Sequence, residues 1–257
     1  MRIEIIGAGA VGLLMASFFT EQQADVAFVL RRQLPKEQKI TRTNSDGTVT
    51  DNLRVSVATE LSGKADLIIV AVKYGDLQNV YAQLRTSDVT IPVLFVQNGL
   101  AHYEEALQLP QLHLAFSSVQ FGAQRLEMFH VAHKGIGVMK LAVGRGDEVL
   151  FLPLLNYAQH QLPVVFEADA EAMLLEKALL NCFINPLTAI LQVKNGQLIT
   201  ENNAFQLLKN LYNEITTGFP QYGQVFQFEQ VVALCEKNSN EHLFYACGPF
   251  SRKGNGN

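Results

Sequence analysis

Three polar side chains recur at every fourth position of one apolar segment. Lys177, Asn181 and Asn185 lie in AEAMLLEKALLNCFINPLTAIL (170–191), whose richness in alanine and leucine predicts a helix. Their i, i+4, i+8 spacing places them on one face of it, and we call these three residues the polar stripe. A lysine and two amides among leucines need partners if they are buried. The stripe is therefore either a ligand-binding face or a solvated face of the helix.

The neighbours of the polar stripe fix the expected limits of this helix. Asp169 is a plausible N-cap, because its carboxylate can accept from the first free N–H groups. Pro186 directly follows Asn185, and we expect it to disturb the helix and to free backbone groups there. Asn195-Gly196 comes soon after the helix.

A second group of residues suits phosphate binding. A short β-branched strand (2–6) leads at once into GAGAVG, which is followed by a helical pattern and a second strand (24–31). In a dinucleotide-binding unit the first glycine permits the turn, the second lets a pyrophosphate approach, and the third lets the helix pack on the sheet. The free N–H groups of the helix then face the phosphates. The expected cofactor-binding residues of this turn are Gly7, Ala8, Gly9, Ala10, Val11 and Gly12.

The end of the second strand indicates which cofactor binds. An NAD enzyme usually carries Asp or Glu there to accept from the ribose 2′-hydroxyl. This chain has Leu30-Arg31-Arg32 instead. Because a guanidinium pairs well with a 2′-phosphate, Arg31 favours NADP(H), whereas Arg32 can be a solvated surface residue.

Two further strands end in polar residues. The run 65–73 ends at Lys73, and the run 91–100 ends in Gln97-Asn98-Gly99. Ligands of open α/β sheets bind beyond the carboxyl ends of strands, so Lys73 and Asn98 join Arg31 as candidates for one site. The alternatives are a surface lysine and a turn-forming asparagine. The region 113–145 is β-rich and suggests an antiparallel extension of the sheet.

Composition limits the class of protein. The chain has 257 residues, of which 48% are hydrophobic and 17% charged, with a net charge of −4. This is typical of one large or two modest globular domains and argues against a nucleic-acid-binding protein.

The apolar N-terminus lacks a cleavage site and is too rich in glycine for a membrane span. The histidines show no ligand spacing and three cysteines form no framework, so we expect no metal and a reducing, cytoplasmic setting.

Several separated motifs together resemble one family. GAGAVG, the AVK ending at Lys73, the QNGL around Asn98, the polar stripe with PLTA after it, and Asn195-Gly196 occur in the order found in 2-dehydropantoate 2-reductases (ketopantoate reductases). The resemblance spans residues 1 to about 240. It implies reduction of 2-dehydropantoate to D-pantoate with NADPH, on the route to pantothenate and coenzyme A.

The resemblance also implies roles for individual residues. Lys177 matches the general acid, and a lysine with an ordinary pKa of about 10.4 can donate a proton at pH 7. Asn98, Asn181, Asn185 and Asn195 match substrate-binding positions, while Lys73 and Asn98 lie with the cofactor-binding residues. A homodimer is an expected partner. The remaining alternatives are a reductase of another branched 2-keto acid and a non-catalytic NADPH-binding remnant.

The expected architecture is an α/β Rossmann-type NADP-binding domain (1–166) followed by an all-α substrate and catalytic domain (167–257) that is incomplete. The family carries an N-x-S-S-M-type motif and a later glutamate after this point, but the chain reads EHLFYACGPFSRKGNGN (241–257). A back-translation of this tail read one nucleotide later encodes NTSSMLVDLSAGKETE, which resembles the missing motif. We therefore expect a frameshift near residue 241, in the gene or in its sequencing, and reduced activity. The alternative is a genuine, divergent terminus, and the DNA sequence of the gene decides between the two.

Overall fold

A computed structural model describes residues 1–157, 162–220, 223 and 226–237. The helices are α1 (Ala10–Glu21), α2 (Leu77–Thr86), α3 (Ala101–Leu107), α4 (Ala170–Leu191), α5 (Gln197–Thr200), α6 (Asn202–Gly218) and α7 (Phe228–Lys237). The strands are β1 (Arg2–Ile6), β2 (Asp25–Val29), β3 (Glu37–Thr43), β4 (Val49–Ala58), β5 (Leu67–Val70), β6 (Val93–Phe95), β7 (Leu114–Val119), β8 (Gly122–Glu127), β9 (His130–Gly135), β10 (Met139–Arg145) and β11 (Val164–Phe166).

The strands of these ranges form one sheet in the order β11-β10-β7-β6-β5-β1-β2-β4-β3-β9-β8. Its centre, from β4 through β2, β1, β5 and β6 to β7, is parallel throughout. The chain builds outward from β1 to β2, and then returns to the other side of β1 with β5. Such a reversal creates a crevice at the carboxyl ends of β1 and β5, which is where ligands of doubly wound sheets bind. The predicted Rossmann-type first domain is confirmed.

Two apolar layers cover the two faces of the sheet. Successive residues of β5 alternate between them: Ile69 packs in the layer that contains α1, whereas Ile68 and Val70 pack in the layer that contains α2. Because both faces are covered, β5 (LIIV) and β6 (VLF) are apolar at every position, as is typical of buried parallel strands. This explains why short runs such as LIIV predict strands so clearly.

The antiparallel extension expected from 113–145 is only partly correct. β7 is parallel to β6, and β10 then pairs antiparallel with β7 at that edge. β8 and β9 form an antiparallel hairpin at the opposite edge of the sheet. There β9 pairs in parallel with β3. Strand propensity predicts that a segment is extended, but not which edge it joins, because that depends on contacts distant in sequence.

The first of two compact units ends at Leu175, within α4. Asp169 caps α4 as predicted, since its Oδ1 accepts from the amide of Ala172 at 3.0 Å. Ala170, Met173 and Leu174 at the start of the helix belong to the α2-side core. The predicted aberrant tail, 241–257, lies outside the described residues.

The second unit is helical in its described part, which confirms an all-α second domain. Its core contains stacked rings of Phe183 and Phe226, with centroids 6.2 Å apart. Tyr212 packs on Phe183 at 5.4 Å and donates its hydroxyl to the Phe226 carbonyl at 2.9 Å. These contacts tie α4 to α6 and to the segment before α7.

One helix of the described ranges, α4, is long and apolar enough to cross a membrane by length and composition, with a mean hydropathy of 1.3. The core helix of a soluble protein meets the same criterion, and α4 carries the polar stripe.

Candidate functional site

The glycine turn lies directly after β1, where the fold itself requires two of its glycines. Gly7 has a φ of +104°, and a Cβ there would lie 2.8 Å from Cγ1 of Val72. A Cβ on Gly12 would overlap the carbonyl oxygen of Gly7. Packing of the turn and of α1 against the end of β5 therefore accounts for both residues.

Gly9 differs from the other two glycines. A Cβ there would make only an ordinary contact of 3.7 Å with the Ala71 carbonyl oxygen. Its backbone φ of −75° is accessible to any residue. Since the protein's own packing does not require glycine at this position, close approach of a ligand is the remaining physical reason for it.

The N-terminus of α1 is open to an anion. The first helical hydrogen bond runs from the amide of Leu13 to the carbonyl of Gly9 at 2.9 Å, so the three preceding amides have no partner within the helix. No side chain caps α1, and its first turn contains no acidic residue. These free N–H groups and the positive end of the helix dipole fit a dinucleotide pyrophosphate.

Arg31 lies just beyond β2 and forms an ion pair with Asp76. Its Nη1 is 3.0 Å from Oδ1 of Asp76, and the Arg31 side chain is 73% exposed. An exposed pair of this kind contributes little stability. The guanidinium is thus available at the strand end where the 2′-phosphate is expected.

Lys73 is exposed and begins the turn that leads into α2, and the amide of Asp76 donates to its carbonyl at 2.9 Å. Lys73 and the Arg31–Asp76 pair are therefore neighbours beyond the carboxyl ends of the strands. Asn98 is also exposed, directly before Gly99, which has a φ of +86°. The structure thus places these candidates beyond the ends of β2, β5 and β6, as the sequence predicts.

Gln97 holds the loop between β5 and Lys73. Its Nε2 donates to the carbonyls of Val70 at 2.8 Å and Val72 at 3.0 Å. The side chain is buried, and its Oε1 has no hydrogen-bond partner among the described residues. Gln97 therefore joins the end of β6 to the same loop that the glycine turn packs against.

The polar stripe is half-buried along its length. Asn185 donates its Nδ2 to Oδ1 of Asn181 at 3.3 Å, so the two amides form a chain along the helix. Oδ1 of Asn185 is buried and finds no partner in the described part of the protein. A buried amide oxygen without a partner is costly, and a bound ligand with a donor would relieve that cost.

Pro186 does not break α4, contrary to the disturbance that we expected. The helix runs through it to Leu191, although a proline nitrogen cannot donate to the carbonyl of residue 182. Downstream, the Thr188 hydroxyl donates to the Ile184 carbonyl at 3.0 Å. Packing of α4 in the helical core outweighs the lost backbone hydrogen bond.

Asn195 lies just before α5 and is fully buried. Its backbone carbonyl accepts from the Leu198 amide at 3.1 Å, which starts the turn of α5. Neither polar atom of its side chain has a partner among the described residues. Buried amides without a partner are rare in folded proteins, which sets Asn195 apart from an ordinary core residue.

Sequence reasoning missed two residues of this arrangement. Asp76 was not recognised as the partner of Arg31, because nothing in their spacing of 45 positions links them. Gln97 was part of the QNGL motif but was not given a role. Its position at the end of a buried strand was the available signal, since a polar residue there must find a partner.

No group of three or more His, Cys, Asp or Glu side chains within the described ranges could hold a metal ion. Cys182 is exposed and Cys235 is buried, and both are free thiols. Burial raises the pKa of Cys235 to about 11, so its thiol is protonated at neutral pH.

Two family models match most of the chain. The model described as "Ketopantoate reductase PanE/ApbA" matches residues 3–146, and that for the C-terminal part of the same family matches residues 169–244. The 2-dehydropantoate 2-reductase of Bacillus subtilis is 32% identical over 246 residues, which cover 91% of this chain and 80% of that protein.

Solved structures agree with the sequence comparison. The crystal structure of a probable 2-dehydropantoate 2-reductase from B. subtilis has a TM-score of 0.82 at 29% identity, covering 94% of this chain and 84% of that one. D-mandelate dehydrogenase with NADH and anilino(oxo)acetate has a TM-score of 0.75 at 21% identity, with coverages of 92% and 79%. A dimeric ketopantoate reductase from Staphylococcus aureus has a TM-score of 0.65 at 20% identity, with coverages of 94% and 80%. The last two show similarity of fold alone.

Proposed function

The chain belongs to the ketopantoate reductase family, and from this we propose that it reduces 2-dehydropantoate to D-pantoate with NADPH, a step of pantothenate biosynthesis. The observation that carries the proposal is the polar stripe, a lysine and two asparagines on one half-buried helix face. Its residue types suit a carbonyl substrate with hydrogen-bonding groups.

The cofactor residues in this proposal all belong to the first unit. The turn Gly7–Gly12 and the free amides of α1 hold the pyrophosphate, Arg31 pairs with the 2′-phosphate, and Lys73 and Asn98 lie at the adjacent strand ends. When bound, the nicotinamide supplies the hydride that reduces the C2 ketone. The missing carboxylate after β2 makes NADPH the preferred form.

Lys177 is the proposed general acid. As the ketone is reduced, negative charge develops on its oxygen, and an ammonium group there stabilises that charge and donates the proton that completes the alcohol. Asn181 and Asn185 orient the substrate through their amides, and Asn98 and Asn195 supply further hydrogen bonds. Among the residues that the structure describes, Oδ1 of Asn185 and the side-chain amide of Asn195 have no partner, which supports these roles.

We further propose a cytoplasmic enzyme that works as a homodimer. The dimeric relative from S. aureus supports the oligomer. The reduced turnover expected from the divergent tail stays a prediction, because residues 241–257 lie outside the described ranges.

A substrate panel tests the proposed activity. Oxidation of NADPH is followed by absorbance with 2-dehydropantoate, with a straight-chain 2-oxo acid and with a branched 2-oxo acid that lacks the substrate's hydroxyl. We expect the highest kcat/KM for 2-dehydropantoate. A higher value for either other acid would assign the chain another substrate, and binding of NADPH with no turnover of any would make it a non-catalytic cofactor-binding protein.

A further inference from the structure

Arg125 of β8 reaches the glycine turn although the two are far apart in sequence. Its Nη1 donates to the carbonyl oxygen of Ala8 at 3.4 Å. Ala8 lies two residues before α1 begins. The Arg125 side chain is otherwise exposed and forms no ion pair within the described part of the chain.

The β8–β9 hairpin directs Arg125 toward this turn. Ala123 is buried in the α1-side core, and side chains two apart on a strand share a face, so Arg125 points to the α1 side of the sheet. The pairing of β8 with β9 shifts register between Arg125 and Glu127. Bulges of this kind bend a strand and redirect its side chains, and they are frequent beside active sites.

The electrostatics of the turn favour an anion. The free amides of α1 give its N-terminus positive character, and its first turn has no acidic residue. A guanidinium beside that end adds further positive charge, so an anion bound there would interact favourably with both. Since a guanidinium has five N–H donors, the bond to Ala8 leaves others for phosphate oxygens.

We infer that Arg125 is a ligand of the cofactor's pyrophosphate. The inference rests on the proposed binding of NADPH. The two arginines then have different roles. Arg31, beside Asp76, distinguishes NADPH from NADH through the 2′-phosphate, whereas Arg125, beside Ala8, binds the pyrophosphate that both cofactors contain. The two substitutions should therefore differ in what they do to cofactor preference.

Calorimetric titration of the full chain with NADPH and, separately, with NADH tests this division. Arg125→Gln should raise both Kd values about tenfold, the loss expected for one charge-assisted hydrogen bond, and leave their ratio unchanged. Arg125→Lys should fall between the wild type and Arg125→Gln. Arg31→Gln should raise the Kd for NADPH alone.

Arg85→Gln is the matched control. It removes the same charge from the last turn of α2, a helix length away from Lys73, and should leave both Kd values at the wild-type level. If Arg125→Gln binds both cofactors as the wild type does, or loses affinity for NADPH only, the inference is wrong. If the wild type binds neither cofactor, it is instead the proposed function that fails.

Discussion

At the residue scale, the glycines of one turn have different reasons to be glycine. Gly7 and Gly12 are required by packing on the end of β5 and on the turn itself, whereas Gly9 has room for a Cβ. The sequence motif assigns all three at once, because it does not separate the needs of the fold from those of a ligand. The contacts that a Cβ would make at each position distinguish the glycines that the fold requires from the one that a ligand would require.

We therefore expect two alanine substitutions to affect different properties, one the affinity for the cofactor and the other the stability of the fold. Gly9→Ala should leave the free energy of unfolding near the wild-type value and raise the Kd for NADPH about tenfold, because the methyl group occupies the path of the phosphates. Gly12→Ala should lower the free energy of unfolding by about 1–3 kcal/mol through the overlap with Gly7. Urea unfolding and cofactor titration of both variants give the comparison. Equal loss of stability in the two would refute the distinction.

Spacing on one helix face singled out Lys177, Asn181 and Asn185, and the family resemblance added Asn195, but the environments of these side chains were not predictable. That Asn195 is fully buried, with no partner for its side-chain polar atoms in the described part of the chain, follows from tertiary packing around α5. Likewise, the ion pair of Arg31 with Asp76 depends on the adjacency of β2 and the loop after β5. Spacing predicts a shared helix face, but not a contact between elements.

At the element scale, the sequence predicted the parallel centre of the sheet because local signals agree there. The apolar strands and the glycine turn each specify their own conformation, and the helical pattern between successive strands indicates that those strands run parallel. The sequence did not show which edge of the sheet the β8–β9 hairpin joins, because its partner strand, β3, is remote in sequence. Arg125 lies in that hairpin, so its proximity to the glycine turn could not be predicted from the sequence either.

The loop after β5 offers a test of positioning by a buried amide. Gln97 holds this loop through two backbone carbonyls. Gln111 makes a similar bond to the carbonyl of Leu84, in the last turn of α2 and so at the other end of that helix from Lys73, at 2.5 Å. Replacement of either by leucine should lower the free energy of unfolding by about 1–3 kcal/mol, because buried carbonyls lose their donors.

Only Gln97→Leu should also raise the KM for NADPH, because only Gln97 fixes the loop that ends at Lys73. Steady-state kinetics and urea unfolding of the two variants separate the effects. A KM for NADPH that changes equally in both variants, or in neither, would reduce Gln97 to a purely structural residue.

At the scale of the whole molecule, the stability of the first unit depends on pH through His102. This residue of α3 is 1% exposed and packs against the rings of Phe95 and Phe116 at 6.1 and 5.7 Å. Burial lowers its pKa to about 4, a shift that nearby Glu105 opposes. Neutral His102 therefore stabilises the fold above its unfolded pKa of 6.5, and this stability is lost as pH falls from 6.5 toward 4.

Substitution of His102 by leucine should flatten this dependence. Between pH 7.5 and pH 5.0, the wild type should lose about 2 kcal/mol more of its free energy of unfolding than His102→Leu loses. Urea unfolding at the two pH values measures the difference. Parallel losses in both proteins would mean that other groups dominate the acid sensitivity.

The central claim, that Lys177 is the general acid for reduction of 2-dehydropantoate, is tested most directly by kcat of Lys177→Ala beside the wild type. Lys209→Ala, which removes an exposed lysine of α6, is the control. We predict that Lys177→Ala lowers kcat about 10²- to 10⁴-fold with an unchanged Kd for NADPH and unchanged circular dichroism, while the control retains wild-type kcat. A kcat of Lys177→Ala within about twofold of the wild type, far less than the loss of a general acid costs, would contradict the account.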